Sequence, residues 1–243
     1  MLFAAPASAE RWRVTYAVTA AGITVADAEV RFSLGSAGTP YSIETRTRTR
    51  GMASWLMRSE SQARAEGFLR QGSALPRRYQ SDGVWRGINR RAVLDYAPDG
   101  TARIATLEPT HDMERTPVPD DARRGHMDPL SAIVLLTDQV RQTARCDISA
   151  RTFDGRRVTQ FDVTTDPVVQ AADRGLLRCI VESRPLAGIP LDRPLEEASR
   201  PTRSVLLFGV ARPGAPAIPV QIEVASRWWG SIQANLIELV SVD

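Results

Sequence analysis

Asp128-Pro129-Leu130-Ser131 opens the one clear helical pattern in a chain that otherwise alternates apolar and polar residues with a period of two. Asp128 stands where its carboxylate accepts from the N–H near Ser131, and Pro129 sits at the first helical position, where a missing N–H costs nothing. Leu130, Ile133, Val134, Leu136, Thr137 and Val140 then cover well over half of the helix surface. A helix this apolar is buried on most sides. In a chain built almost wholly of strands, the usual partner for such a helix is a sheet that curls around it.

The strands are legible from their alternation. Trp12, Val14, Tyr16 and Val18 alternate with Arg11, Arg13, Thr15 and Ala17, and Ala21-Gly22 turns the chain into Ile23–Phe32. Tyr41–Thr49, Ser59–Leu69, Leu75–Ser81, Asn89–Tyr96 and Ala102–Glu108 follow, separated by turn residues at Gly72-Ser73, Asp82-Gly83 and Pro98-Asp99-Gly100. After the helix come Arg145–Phe153 and Arg156–Thr165, joined by Asp154-Gly155, a two-residue hairpin signal. Leu176–Pro185, Arg203–Ala211, Ile218–Trp228 and Ser231–Val242 complete the set. The expected fold is mainly β: a single large curved antiparallel sheet or open barrel wrapped around one buried helix. Residues 10–243 read as one β-rich domain, since sheets that close on themselves often exceed 200 residues as a single unit.

Residues 1–9 read as a signal-peptide remnant. Ala7-Ser8-Ala9 is a small-x-small cleavage site that follows the apolar residues Leu2-Phe3-Ala4-Ala5. An Ala-rich disordered tail is the other reading. No apolar run approaches the roughly 18–20 residues that span a bilayer, so no transmembrane segment is expected, and the compartment implied is the periplasm. Cys146 and Cys179 are the only cysteines. In an oxidising compartment a lone pair usually forms a disulfide, and their spacing suits neither a redox C-x-x-C motif nor a zinc site. Two buried thiols are the alternative. If Asp154-Gly155 is the turn, residue 146 lies opposite residue 163. A third strand added alongside would then leave Cys179 about 9–10 Å away, beyond the roughly 7 Å Cα separation a disulfide tolerates. A disulfide therefore requires strong coiling, a change of strand order, or a cysteine at a strand end.

The order of several short motifs resembles a bacterial family known as domain of unknown function 3108 (DUF3108). The residues concerned are Tyr16-Ala17-Val18, Gly22-Ile23-Thr24-Val25-Ala26, Leu75-Pro76-Arg77-Arg78-Tyr79, Asp128-Pro129-Leu130-Ser131, Phe153-Asp154-Gly155-Arg156-Arg157, Cys179-Ile180-Val181 and Pro185-Leu186-Ala187-Gly188. The resemblance implies a periplasmic envelope protein with a plan like that of the lipoprotein carriers. It supplies no catalytic residues.

Catalytic chemistry is not signalled by the residues either. The two histidines, His111 and His126, lie in or beside the polar 110–125 connection, and no G-x-S-x-G is present. No enzyme and no cofactor are expected. His111, Asp112 and Glu114 have metal-ligating side chains but read as solvated loop residues. Every basic residue is Arg, and Arg77-Arg78, Arg90-Arg91, Arg123-Arg124 and Arg156-Arg157 form doublets. Adjacent strand residues face opposite sides, so each doublet offers one guanidinium per face. Nucleic-acid binding would also require interleaved aromatics, and it is not expected.

Two functions of different class remain. The first is a carrier or binding protein for a lipid or other apolar ligand. Its expected lining is Trp12, Tyr16, Met52, Trp55, Leu56, Leu130, Ile133 and Val134, with Met52–Met57 as a lid or as plain loop packing. The second is a structural or scaffolding protein that meets an envelope protein or glycan through its Arg/Thr outer face; apart from either, an outward ring of Trp228-Trp229 suits a membrane surface or a partner. The surroundings of the helix discriminate: roomy and apolar favours the carrier, close-packed favours the scaffold.

Overall fold

The computed structural model describes residues 10–35, 37–51, 59–85, 87–167, 175–226 and 230–242. Residues 1–9, Met52, Trp55, Leu56 and Trp228-Trp229 lie outside the described residues. Thirteen strands among the described residues form one antiparallel sheet. Seven precede the helix: β1 (Arg11–Ala20), β2 (Ile23–Leu34), β3 (Pro40–Thr49), β4 (Glu60–Arg70), β5 (Ser73–Trp85), β6 (Ile88–Tyr96) and β7 (Ala102–Glu108). Helix α1 (Pro129–Thr143) follows. The chain returns through β8 (Ile148–Phe153), β9 (Val158–Thr165), β10 (Leu177–Ala187), a single turn of helix α2 (Leu195–Ala198), β11 (Thr202–Gly209), β12 (Ile218–Ser226) and β13 (Gly230–Val242).

The strand order is β7-β6-β5-β4-β3-β2-β1-β13-β12-β11-β10-β9-β8. The first half of the chain thus builds outward from the middle of the sheet. The polar connection and α1 carry it to the far edge, and the second half builds inward until β13 pairs with β1. This antiparallel route needs short turns, and the turn residues supply them. Ala21 and Gly22 both have positive φ (49° and 78°), as a tight hairpin between right-twisted strands requires. Register shifts at Thr15/Tyr16, Val18/Thr19, Glu66/Gly67 and Val93/Leu94 are bulges that bend the sheet around the helix.

The bending brings the two ends of the sheet together. The Arg156 guanidinium, in the β8–β9 turn, donates to the carbonyls of Glu108 (2.6 Å) and Pro109 (2.9 Å) at the end of β7. Gly155 lies so close to β6 that an added Cβ would stand 3.0 Å from the Ala92 Cβ. Met127, just before α1, pairs in parallel with Thr152 of β8.

Inside this wrap, α1 divides the core. Leu130, Val134 and Leu135 pack with Trp12, Val14, Tyr41, Ala65, Leu69 and Tyr79 of β1 and β3–β5. Leu136 and Val140 pack with Cys146, Val163, Cys179 and Phe208 on the other side. The helix start is as its sequence demands: the Asp128 carboxylate accepts from the Ser131 N–H at 2.9 Å.

Several local features differ from the sequence reading. The β8–β9 turn has four residues, 154–157, because Asp154 Oδ1 accepts from the N–H groups of both Arg156 and Arg157. That side chain holds a wider turn than Asp-Gly alone implies and sets Ile148 opposite Val163. Asp82-Gly83 is not a turn. β5 runs on to Trp85, which pairs with Ile88 at the start of β6. β8 begins at Ile148 rather than at Arg145, which leaves Cys146 just outside the strand. Its N–H donates to Thr165 Oγ1, and Thr165 is the residue opposite Cys179. Cys146 thus sits at a strand end, its Cα 5.8 Å from that of Cys179, and the two form a disulfide.

Candidate functional site

An apolar crevice of about 100 Å³ lies between α1 and the concave face of the sheet. Strand alternation builds its walls. Val14 and Tyr16 of β1 share a face with Val30, Phe32 and Leu34 of β2 and with Ile43 and Thr45 of β3. Ile218, Pro219 and Ile222 of β12 close the opposite side, and Ile133, Val134 and Thr137 of α1 form the floor.

Two of the three hydroxyls in this lining, those of Tyr16 and Thr137, are already engaged. The Tyr16 hydroxyl donates to the Pro219 carbonyl at 2.7 Å, and burial pushes the phenol well above its ordinary pKa, so it stays a neutral donor. The Thr137 hydroxyl donates back to the Ile133 carbonyl at 2.8 Å. A molecule entering the crevice meets methyl groups and a ring face, with these two hydroxyls already engaged. Ile133 stands out: it is 44% exposed, whereas its neighbour Val134 is 1% exposed. An apolar side chain this open on a core helix marks a gap in the packing.

Of the lining residues expected from sequence, Tyr16, Ile133 and Val134 meet at this crevice. Trp12 and Leu130 do not line it. Trp12 is buried in the core with the Arg212 guanidinium 5.1 Å over its ring, and Leu130 packs in the first turn of α1. The β2, β3 and β12 residues were missed. Their alternation is plain in the sequence, but which strands flank the helix depends on sheet order, and β12 comes beside β1 only through β13.

Below the crevice the helix start is polar and buried. The Ser131 hydroxyl donates to Asp128 Oδ2 at 2.5 Å and lies 2.6 Å from the Tyr41 hydroxyl. Burial raises Asp128 to about 6, against the lowering effect of its bonds from Ser131. Gly67 makes room for this contact, since a Cβ there would stand 2.7 Å from the Tyr41 hydroxyl.

Other candidates resolve differently. Asp112 and Glu114 are not solvated loop acids. Both bind Arg90, at 2.7 and 2.8 Å, so those carboxylates serve a guanidinium. Burial pushes Asp112 up, but the Arg90 bond and the Glu114 N–H outweigh it and hold the carboxyl below its ordinary value. A depression of about 890 Å³ lies on the outer face, among Arg11, Ser33, Ser42, Glu66, Phe68 and Arg77. It is mostly polar and is separated from the crevice by the sheet.

A mainly β protein whose single open sheet packs against one helix is the class this architecture defines. The solved structure of a β-barrel-like protein of domain of unknown function DUF1849 from Brucella abortus is similar in fold. The match covers 97% of this chain and 99% of that one, at 14% identity and a TM-score of 0.50. No curated protein matches the chain. The family model of DUF3108, described as a protein of unknown function, matches residues 11–237, and the chain belongs to that family.

Proposed function

We propose that the protein is a non-catalytic binding protein for the end of an apolar chain, such as the acyl tail of a lipid, and that it works in the periplasm. The observation that carries this reading is Ile133, an exposed apolar residue on a core helix, beside a crevice whose Tyr16 and Thr137 hydroxyls are already engaged. Sites for whole small molecules usually measure about 300–1,000 Å³. At about 100 Å³ the crevice suits the tip of a chain, with the remainder outside. The disulfide supports an oxidising compartment, as does the signal-like segment ahead of residue 10.

Titration with a straight-chain fatty acid, followed by methyl NMR, tests the reading. Ile133, Val134 and Ile222 are expected to shift in a saturable way while Val163, on the other side of the helix, does not. Unmoved crevice methyls at saturating ligand reject it.

A second reading rests on the outer depression. Its charged rim of Arg11, Glu66 and Arg77 suits an envelope protein partner for a scaffold. Reproducible capture of one partner, lost on charge reversal at Arg77, would favour that reading.

A further inference from the structure

The Arg90-Arg91 and Arg156-Arg157 doublets are more than 60 residues apart in sequence, yet they line one cleft of about 340 Å³ with Arg115. It lies at the seam where the β8–β9 turn packs on β6. Four carboxylates stand near the five guanidinium groups, and they are unevenly shared. Glu114 and Asp112 bind Arg90, Asp82 pairs with Arg91 at 3.4 Å, and Asp154 pairs with Arg157. Among the described residues the carboxylate contacts of Arg115 and Arg156 are with Asp112 Oδ2 alone, each at 3.8 Å, and Arg90 already holds that oxygen at 2.7 Å, while Asp154 acts on both from farther off.

These under-compensated cations are not out in solvent. Their side chains are 23% and 10% exposed, and a buried cation without its own counter-charge is costly. Two cleft nitrogens, Arg90 Nε and Arg156 Nη1, are buried without a hydrogen-bond partner among the described residues. Burial, then the charge of Arg157, holds the Arg115 guanidinium below its ordinary pKa. Elsewhere Arg115 donates to the Gly188 carbonyl and Arg156 to Glu108 and Pro109, so both side chains are held in place before any ligand arrives.

We infer that this cleft is a binding site for a phosphate-type oxyanion, held by Arg115, Arg156 and Arg90. Guanidinium groups arrive from three separate segments: strand β6, the connection after β7 and the β8–β9 turn. That arrangement suits a tetrahedral anion with oxygens in several directions better than a flat carboxylate, which one Arg fork satisfies. The site stands apart from the apolar crevice and does not depend on it.

Calorimetry of the full chain at low ionic strength tests this, with inorganic phosphate and with a short-chain phosphatidic acid below its micelle concentration as probes. At least one probe is expected to bind one to one. Arg115→Gln should weaken that binding tenfold or more, while Arg13→Gln, a change on the outer face, should leave it unchanged. Equal affinity for both probes assigns a free oxyanion; a tenfold preference for the lipid assigns a headgroup. If Arg115→Gln does not fold, Arg115→Lys, which keeps the charge but loses the guanidinium fork, takes its place and should also weaken binding. Failure of both probes to bind folded wild-type protein overturns the inference, as does undiminished binding by the folded variant.

Discussion

The Tyr41 hydroxyl on strand β3 lies 2.6 Å from the Ser131 hydroxyl in the first turn of the helix, and Ser131 in turn donates to Asp128. Through these three side chains the sheet holds the buried end of the helix. The carboxyl at the end of the chain has lost its water, so its pKa is raised from 3.8 to about 6. The folded state therefore keeps the Asp128 proton to a higher pH than the unfolded state does. The resulting stabilisation is complete below about pH 3.8 and is lost as pH rises through about 6. It amounts to roughly 3 kcal/mol across that window. Urea denaturation between pH 4 and 7 should show a steeper loss of stability in wild type than in Asp128→Asn. Equal slopes would contradict it.

Gly67 is required by the same contact. A Cβ at this position would stand 2.2 Å from the Leu75 carbonyl oxygen and 2.7 Å from the Tyr41 hydroxyl. Gly67→Ala should displace Tyr41 and cost about 1–3 kcal/mol in chemical denaturation. An unchanged denaturation midpoint would show that the strand yields freely.

The disulfide spans 33 residues and ties the segment between α1 and β8 to β10. Replacing both cysteines by Ala should lower stability by about 3–4 kcal/mol, the loop-closure contribution for that length. Denaturation with and without reductant measures it. The reduced wild type and the double variant should coincide.

Ile133 and Val134 are adjacent but should behave in opposite ways. Val134→Ala empties a filled core position and should cost about 2–3 kcal/mol. Ile133→Ser, at a side chain already 44% exposed, should cost under about 1 kcal/mol while removing affinity for an acyl chain. A large stability loss at Ile133 would make it a packing residue and weaken the binding proposal.

Local chemistry was readable from the sequence. Asp128 and Pro129 announced the helix, and Ala21-Gly22 its hairpin, because the signals lie within a few residues of their effects. What depended on sheet order was not. Arg90 and Arg156 give no sign of meeting until the two ends of the sheet curl together. The crevice needs β12 near β1, although Ile222 and Tyr16 are about 200 residues apart. The Asp154 turn shows a smaller failure of the same kind: one carboxylate, bonding to two N–H groups, widened a two-residue signal to four and moved the register that carries Cys146.

An apolar chain seated in the crevice beside Ile133 would leave a bound mass on the protein. Native mass spectrometry of protein purified gently from cells that produce it, followed by lipid extraction, detects that mass. A bound mass that extracts as a lipid, and that is absent from an Ile133→Trp variant whose indole fills the crevice, is the predicted result. A bare protein mass that stays unchanged after incubation with excess fatty acid or phospholipid would contradict it.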